Sequence, residues 1–259
     1  MWRLLGFDQH RRGVFPGSTP SAKEARGRLT NRYSGRSPSL VSFGWAPATE
    51  REELYGTDFS LGHYQMSFEL DHCFIYAEVG APEAELLIEF GLTEGQPNMH
   101  AGQGTTNRRF FFENVMLELL WIHDKTEAKS KPIQETRLWE RWSGRRGEAS
   151  PFGIYLRSVE KETTVLPFPG WPYRPPYLPE PWAIHMGENS VVVTEPLCFF
   201  LAFAQRPDKG GLAQSLMHPA GFREVTALRI FSPVVKSASP VMKAIARCGA
   251  SGFLRDRRI

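Results

Sequence analysis

The chain has 259 residues, of which 41% are hydrophobic and 23% charged, values that are ordinary for a globular protein. Its net charge of +3 is too small to indicate a nucleic-acid-binding protein, and the sequence has no apolar run of the about 18 residues that a membrane-spanning helix needs. Three cysteines without a CxxC pair argue against a disulfide framework or a zinc knuckle, and their odd number favours a reducing compartment. We therefore expect a cytoplasmic protein with no nucleic acid and no membrane among its partners.

Residues 1–65 differ from the rest of the chain, because they are rich in Arg, Ser, Gly and Pro and poor in periodic apolar residues. Residues 1–40 contain eight Lys or Arg and two Asp or Glu, so this part carries eight minus two, or +6. Such a composition is typical of disorder. Three explanations stay open: an organelle transit peptide, a basic tail that touches a polyanion, or a start assigned too far upstream of Met66. We expect a disordered basic segment over 1–65 and a folded domain over 66–259.

The folded part begins with residues 68–79, FELDHCFIYAEV, whose apolar, β-branched and aromatic residues predict a largely buried strand. The next piece, APEAELLIEFGL, has the punctuation of a short helix: Pro82 suits its first position, and Gly91 suits the left-handed position past its end. After a glycine-rich turn, the runs at 109–112 and 115–122 are strand-like. The predicted order is strand, helix, then two or three strands.

His72 and Glu118 are the candidate metal ligands, and Glu118 is also the candidate catalytic base. Alternate side chains of a strand point to opposite faces, so His72 shares a face with Phe74 and Tyr76, while Glu118 has apolar neighbours on its own face. A buried carboxylate is costly unless it is paired or coordinates a cation, and an imidazole nitrogen with a carboxylate oxygen suits Zn, Fe, Ni or Mn. Catalytic metals usually take three or more protein ligands, and His100 or His185 could supply the third. Alternatively, Glu118 faces water and His72 is a hydrogen-bonded core histidine.

These residues also carry a resemblance. LDH on the first strand, LELLW on the last and GQGTTNRRFFF between them (residues 102–112) resemble a glyoxalase-like module of the vicinal oxygen chelate superfamily. In that superfamily a βαβββ module curls into half of a cup, and two modules enclose a small-molecule and metal site. The resemblance covers 68–124 and is patchy from 150 to 250. It implies an α+β fold with a curled mixed β-sheet cup, a first module at 68–124 and a divergent second part at 150–259.

The hairpin and the strands beside it supply the candidate substrate-binding residues. Asn107 and Arg108 form a polar pair, and the planar fork of Arg108 suits a substrate carboxylate or phosphate. The alternative for Asn107 is that it fixes the turn by bonding its own backbone. An apolar pocket would be lined by Phe74 and Trp121, together with Tyr76 and Phe112.

The middle of the chain is predicted to bridge two parts. Residues 125–131 should be a solvated loop, 135–142 a short amphipathic helix with tryptophan anchors, and 151–159 a strand. Residues 167–181 contain too many prolines for a helix or a central strand, so we expect an extended arm whose aromatic residues roof the pocket. The alternative is a polyproline ligand for an aromatic groove.

The last third is predicted to hold an unfinished second module. Short strands are expected at 182–186, 190–194 and 197–204, a first module strand at 224–231, and a helix at 240–247. Aligning 224–231 with the strand of His72 puts Ala227 at the position of the histidine. Few residues follow, so the counterpart of Glu118 is missing as well, and one chain offers no symmetric four-ligand site.

Two classes of function stay open. One is an enzyme, such as a lyase, isomerase or dioxygenase, in which a divalent metal polarises a small substrate or Glu118 acts as a general base. The other is a non-catalytic protein that holds a small molecule in the same cup without a metal. A homodimer partner could complete the pocket in either case.

Overall fold

The protein is described here by a computed structural model that covers residues 3–5, 40–41, 68–160, 165–211, 214–226, 228–232, 238–247 and 252–255. It is a mixed α+β structure built on a curled sheet of eight strands. Within the described parts of the chain, no helix is both long enough and apolar enough to cross a membrane. The expected α+β class and the curled mixed sheet are thus found.

The main sheet has the strand order β4-β5-β6-β3-β7-β10-β9-β8. Its strands are β3 (Phe68–Tyr76), β4 (Met99–His100), β5 (Thr105–Phe111), β6 (Met116–Ile122), β7 (Phe152–Ser158), β8 (Gly170–Tyr173), β9 (Ile184–Gly187) and β10 (Leu197–Leu201). The predicted order of strand, helix and two or three strands over 68–124 is confirmed; three strands follow the helix, and β4 is a short edge strand.

The sheet consists of two halves with the same strand order. In the first half β3 pairs in parallel with β6, and in the second half β7 pairs in parallel with β10. The halves join where β3 runs antiparallel to β7. The first strand of the second half is therefore β7, which begins at Phe152 within the expected second part at 150–259, and not the strand expected at 224–231. This half is complete in four strands, although no helix follows its first strand among the described residues.

Five helices accompany the sheet in the described parts of the chain. They are α1 (Ala84–Glu89), α2 (Lys125–Ala128), α3 (Lys131–Gln134), α4 (Leu138–Gly144) and α5 (Pro240–Arg247). The helix predicted over 240–247 is confirmed at both ends. The loop expected at 125–131 was wrong in part, because Asp124 caps α2 by accepting from the backbone N–H groups of Thr126 and Glu127.

Each face of the main sheet has its own core. On the face that we call the opposite face, Ile75, Leu119 and Ile154 pack together with residues of α1 and α5. On the other, which we call the site face, Phe74, Tyr76 and Phe199 pack with residues from α3 and α4. The alternation of the strands produces this division, since neighbours such as Phe74 and Ile75 point in opposite directions.

Helix α4 ties the two halves together through two side chains that the amphipathic pattern did not single out for this role. The indole N–H of Trp142 donates to the carbonyl of Ala77, 2.9 Å away, just past β3. Arg141 is completely buried, and its guanidinium donates to backbone carbonyls of the segment before β10. These carbonyls belong to Asn189, Ser190, Val192, Val193 and Glu195. The segment contains a 3₁₀ turn at Glu188–Val191, so the strand predicted over 190–194 is not formed.

The proline-rich arm lies at the edge of the second half. Its strand β8 is the outermost of the sheet, which fits the missing N–H groups of its prolines. Tyr173 of this arm is buried, and its hydroxyl donates to the side-chain oxygen of Gln103, 2.7 Å away in the first half. The extended arm expected from the sequence is thus found.

The segment that contains His218 packs against the first half of the sheet. The Nδ1 atom of His218 accepts from the backbone N–H of Thr93 at 2.9 Å, and its Nε2 lies 3.0 Å from the carbonyl oxygen of Phe111. Burial lowers the pKa of His218, in line with a neutral ring that accepts at one nitrogen and donates at the other.

A second sheet of four strands has the order β12-β11-β1-β2. It contains β1 (Arg3–Leu5), β2 (Leu40–Val41), β11 (Arg229–Ser232) and β12 (Gly252–Arg255). Two short pieces of the segment expected to be disordered are therefore strands; its remaining residues lie outside the described parts. Of the strand expected at 224–231, only the part from Arg229 onward is formed among the described residues, and it belongs to this sheet rather than to the main one. Ala227 lies outside the described residues.

Candidate active site

His72 and Glu118 come together on the site face. They lie on the adjacent strands β3 and β6, offset by two residues, since Glu118 is opposite Phe74. His72 Nε2 lies 3.9 Å from Glu118 Oε2. Their exposed fractions are 9% and 4%. The alternative in which Glu118 faces water is therefore wrong.

Asp71 contacts the ring of His72 on the side away from Glu118, and it was not predicted from the sequence as a site residue. The ring Nδ1 of His72 lies 2.5 Å from Asp71 Oδ1, and Asp71 Oδ2 accepts from Arg157 Nη1 at 3.0 Å. Burial alone would raise the pKa of the Asp71 carboxyl, but the hydrogen bond and charge of His72, with those of Arg157, outweigh it and lower the pKa below its usual value. Asp71 is therefore a carboxylate at neutral pH.

Glu118 is held on its other side by Asn107. The amide nitrogen of Asn107 donates a short hydrogen bond to Glu118 Oε1, and its oxygen accepts from the backbone N–H of Asn98 at 2.7 Å. Because both halves of the amide are engaged, the side chain has one orientation. Asn107 thus fixes Oε1 and leaves Oε2 directed at His72.

The second half of the sheet contributes an aromatic wall. The ring of Tyr155 stacks on His72 with centroids 3.8 Å apart, and on Phe199 at 4.1 Å. Burial raises the pKa of Tyr155, and the charge of Glu118 adds to that. Its hydroxyl therefore stays protonated and is able to donate, but it cannot act as a base near pH 7.

A hydrogen-bonded row borders the site at the edge of the first half. His100 Nδ1 lies 2.7 Å from the hydroxyl of Thr105, which also accepts from Gln103 at 2.7 Å. Tyr177 from the proline-rich arm packs against His100 with centroids 4.7 Å apart, which agrees with the roof expected there. Burial lowers the pKa of His100, so its imidazole is neutral at pH 7.

The structure separates two of the predicted substrate-binding residues from this site. Arg108 and Trp121 point to the opposite face, since each adjoins in sequence a residue whose side chain faces the site side. Arg108 is engaged there by Glu94 at 2.5 Å and by Glu85 at 2.7 Å. Its neighbour Arg109 lies directly opposite Glu118 on β5 instead.

Phe74 is on the correct face but is part of the core. Only 1% of its surface is exposed, and its ring lies over Gly153 of the neighbouring strand. It supports the site from beneath through contacts with Tyr155 and Phe199. A ligand at His72 and Glu118 would therefore meet Tyr155 rather than Phe74.

The donor set partly fits a divalent metal. An imidazole nitrogen and a carboxylate oxygen face one another, and each is oriented by a further hydrogen bond, which is the usual outer shell of metal ligands. Among the residues that the structure describes, however, no group of three His, Cys, Asp or Glu is placed to hold an ion. His185, one candidate for the third ligand, lies on the opposite face with its Nε2 2.9 Å from the carbonyl oxygen of Phe168.

No protein-family model matches the chain, and no curated protein matches it. Among solved structures, the chain is similar to a hypothetical protein from Staphylococcus aureus, with 12% sequence identity and a TM-score of 0.29. The match covers 52% of this chain and 58% of that one, so the chain spans little more than half of that protein's length. Values this low do not establish a shared fold.

Proposed function

We propose that the chain is a glyoxalase-like enzyme of the vicinal oxygen chelate superfamily that acts on a small molecule, with His72 and Glu118 as its reactive pair. The observation that carries the proposal is the 3.9 Å separation of His72 Nε2 and Glu118 Oε2 in a buried setting, with each group held from its far side. At 3.9 Å the two atoms are too far apart for a hydrogen bond to one another, so both are available to a ligand that enters between them.

The reaction that suits these residues is the movement of a proton next to a carbonyl, as in an isomerase or a lyase. Asn107 binds Glu118 Oε1, so Oε2 is the oxygen that can accept the substrate proton. The protonated hydroxyl of Tyr155 is a hydrogen-bond donor for a substrate oxygen, and its ring excludes water from one side. A divalent metal held by His72 and Glu118 would add Lewis-acid polarisation of that oxygen.

A second candidate is a binding protein without catalysis. The continuous stack of His72, Tyr155 and Phe199 favours it, because stacked rings form a wall suited to a flat apolar molecule. In this case the buried pair would orient the ligand, and no proton would be exchanged.

Metal content is the first test. The full chain and its His72→Gln and Glu118→Gln variants would be titrated with Zn²⁺, Ni²⁺ and Mn²⁺ by calorimetry. His185→Gln is the matched control, because it removes a partly buried imidazole from the opposite face. One ion bound by the wild type and the control, and lost in both site variants, supports the metal site; equal titrations of all four proteins refute it.

Catalysis is tested separately from the metal. Small α-hydroxy ketones and aldehydes would be incubated in D₂O with the wild type, and deuterium incorporation beside the carbonyl would be followed by proton NMR. The enzyme proposal expects exchange that disappears in Glu118→Gln and persists in His185→Gln. Saturable binding of the same compounds without exchange by any protein would favour the binding function instead.

A further inference from the structure

Strand β3 has an irregularity at the residue that supports His72. Along the β3–β7 pairing, Leu70 lies opposite Leu156 and His72 opposite Tyr155, so Asp71 is an extra residue without a partner on β7. This is the two-against-one arrangement of a β-bulge. In a regular strand the side chains of Asp71 and His72 would point to opposite faces and could not meet. The bulge brings Asp71 Oδ1 to 2.5 Å from His72 Nδ1.

Arg157 fixes the other end of Asp71. It is 1% exposed, and its Nη1 donates to Asp71 Oδ2 at 3.0 Å. Its Nε donates to Glu69 at 2.8 Å, and its Nη2 donates to the carbonyl of Asn114 at 2.7 Å. The guanidinium is thus anchored at three points, so the carboxylate between Arg157 and His72 has little freedom to rotate.

We propose that Asp71 is a positioning residue that keeps the proton of His72 on Nδ1 and presents the Nε2 lone pair to the ligand. A carboxylate with its second oxygen bound to an arginine can only accept, so the nitrogen that meets it must donate. In the neutral form of the ring, the single N–H is therefore on Nδ1, and Nε2 is an acceptor. It faces Glu118 Oε2, which is also an acceptor.

Two acceptors that face one another define the chemistry of what binds between them. A cation satisfies both through their lone pairs, and so does a ligand with an acidic N–H or O–H group. A ligand that offers only acceptor atoms would be repelled. The bulge thereby favours a ligand that is a cation or a hydrogen-bond donor. This inference rests on the proposed function only in that His72 and Glu118 are taken as the ligand-binding pair.

The tautomer is measurable without substrate or metal. In ¹⁵N-labelled full-length protein, long-range proton–nitrogen NMR recorded over a range of pH identifies the neutral ring and distinguishes its protonated nitrogen from its unprotonated one. We expect Nδ1–H and bare Nε2 in the neutral ring of His72. Protonated Nε2 in the neutral ring of the wild type would overturn the proposal outright, whatever the activity of the protein.

Variants then assign the effect to Asp71. Asp71→Asn and Asp71→Ala remove the obligate acceptor, so the proton is expected to move to Nε2 in a measurable fraction of molecules. Glu69→Gln is the matched control, since Glu69 also binds Arg157 but does not touch His72. An unchanged tautomer in both Asp71 variants, or an equal change in the control, would refute the role of Asp71.

Metal affinity distinguishes this proposal from the proposed function. If the wild type binds Zn²⁺, its affinity is expected to fall about 10- to 100-fold in Asp71→Asn and to stay unchanged in the control. If the wild type binds no metal but shows the tautomer change, Asp71 is confirmed as the positioning residue while the metal site fails. An unchanged Zn²⁺ affinity together with an unchanged tautomer would overturn the proposal for Asp71 alone.

Discussion

Replacing Arg141 by methionine should destabilise the protein strongly, because this buried guanidinium organises the segment before β10. Methionine keeps most of the side-chain volume but offers no donor. Of the five carbonyls that Arg141 binds, those of Asn189, Val192 and Val193 also accept a backbone N–H. The carbonyls of Ser190 and Glu195 have no other donor among the described residues. The substitution therefore leaves two carbonyls unsatisfied.

The magnitude follows from these two groups. A buried acceptor without a partner costs about 1–3 kcal/mol, so two of them cost about 2–6 kcal/mol. Removing the arginine also relieves its own desolvation, which is large enough to lower the pKa of Arg141 to about 10. We therefore expect the lower part of the range, about 2–4 kcal/mol, a large share of the usual 5–15 kcal/mol of a folded domain. Arg141→Lys should lose less, since an ammonium keeps the charge and three donors.

Urea unfolding followed by tryptophan fluorescence measures this difference, and Trp142 of the same helix is a suitable reporter. The control is Arg137→Met, because Arg137 precedes α4 but is exposed and, among the described residues, its side chain pairs only with Glu140. Its expected loss is within about 0.5 kcal/mol. A loss below about 1 kcal/mol for Arg141→Met at an unchanged m-value would show that the carbonyls find other partners, and the reasoning would fail.

Three further predictions concern the core and its titrating groups. In Gly153→Ala the new Cβ would lie 2.1 Å from the ring of Phe74, so we expect a loss of about 1–3 kcal/mol in chemical unfolding, partly recovered by adding Phe74→Leu. Because burial lowers the pKa of His218 in the folded protein, the unfolded chain binds the proton more readily. Stability should thus be full above about pH 6.5, the ordinary value, and fall as the pH drops from there through the lowered pKa. His218→Gln should show a shallower pH dependence in thermal melts over the same window, and identical slopes would contradict this. Burial raises the pKa of Cys73 and Cys198 to about 12, so neither thiol should react with iodoacetamide at pH 8 in the native protein, as peptide mass mapping would reveal.

The first half of the sheet was predictable because its signals are local. A buried apolar strand, a helix opened by Pro82 and closed by Gly91, and a glycine-rich hairpin follow one another within about sixty residues. In the second half, residues 151–159 were also recognised as a strand. Their place beside β3 was not, because it depends on pairing between strands about eighty residues apart, which the local pattern does not encode. The local pattern instead predicts a second module after residue 220, where a strand-like run is followed by a helix that begins near a proline, as in the first.

Prediction of the candidate site from the sequence was limited for a different reason. His72 and Glu118 were predictable because ligand-type residues are conspicuous on apolar strands. To choose between Arg108 and Arg109, however, one must know which side chains of β5 lie on the site face. Asn107 and Arg109 are two apart and therefore share a face, so strict alternation from Asn107 would have selected Arg109. At Asp71, by contrast, the alternation of side chains along a strand gives the wrong answer. Its neighbour His72 should point away from it, and only the bulge, which exists through pairing with β7, brings them together.

The bulge and the aromatic wall have a common origin in the junction between the halves. Strand β7 supplies Tyr155, which stacks on His72, and Arg157, which anchors Asp71. The two side chains are two residues apart on β7, yet one lies against the ring of His72 and the other behind its carboxylate partner. Strand β7 of the second half thus helps to orient His72, whereas Glu118 is oriented by Asn107 of the first half. A change that shifts the register of β3 against β7 by one residue would separate all of the contacts from β7 at once, while the pairing of β3 with β6 would keep His72 and Glu118 adjacent. The proximity of the pair and the orientation of Glu118 are therefore properties of the first half, whereas the orientation of His72 depends on the junction.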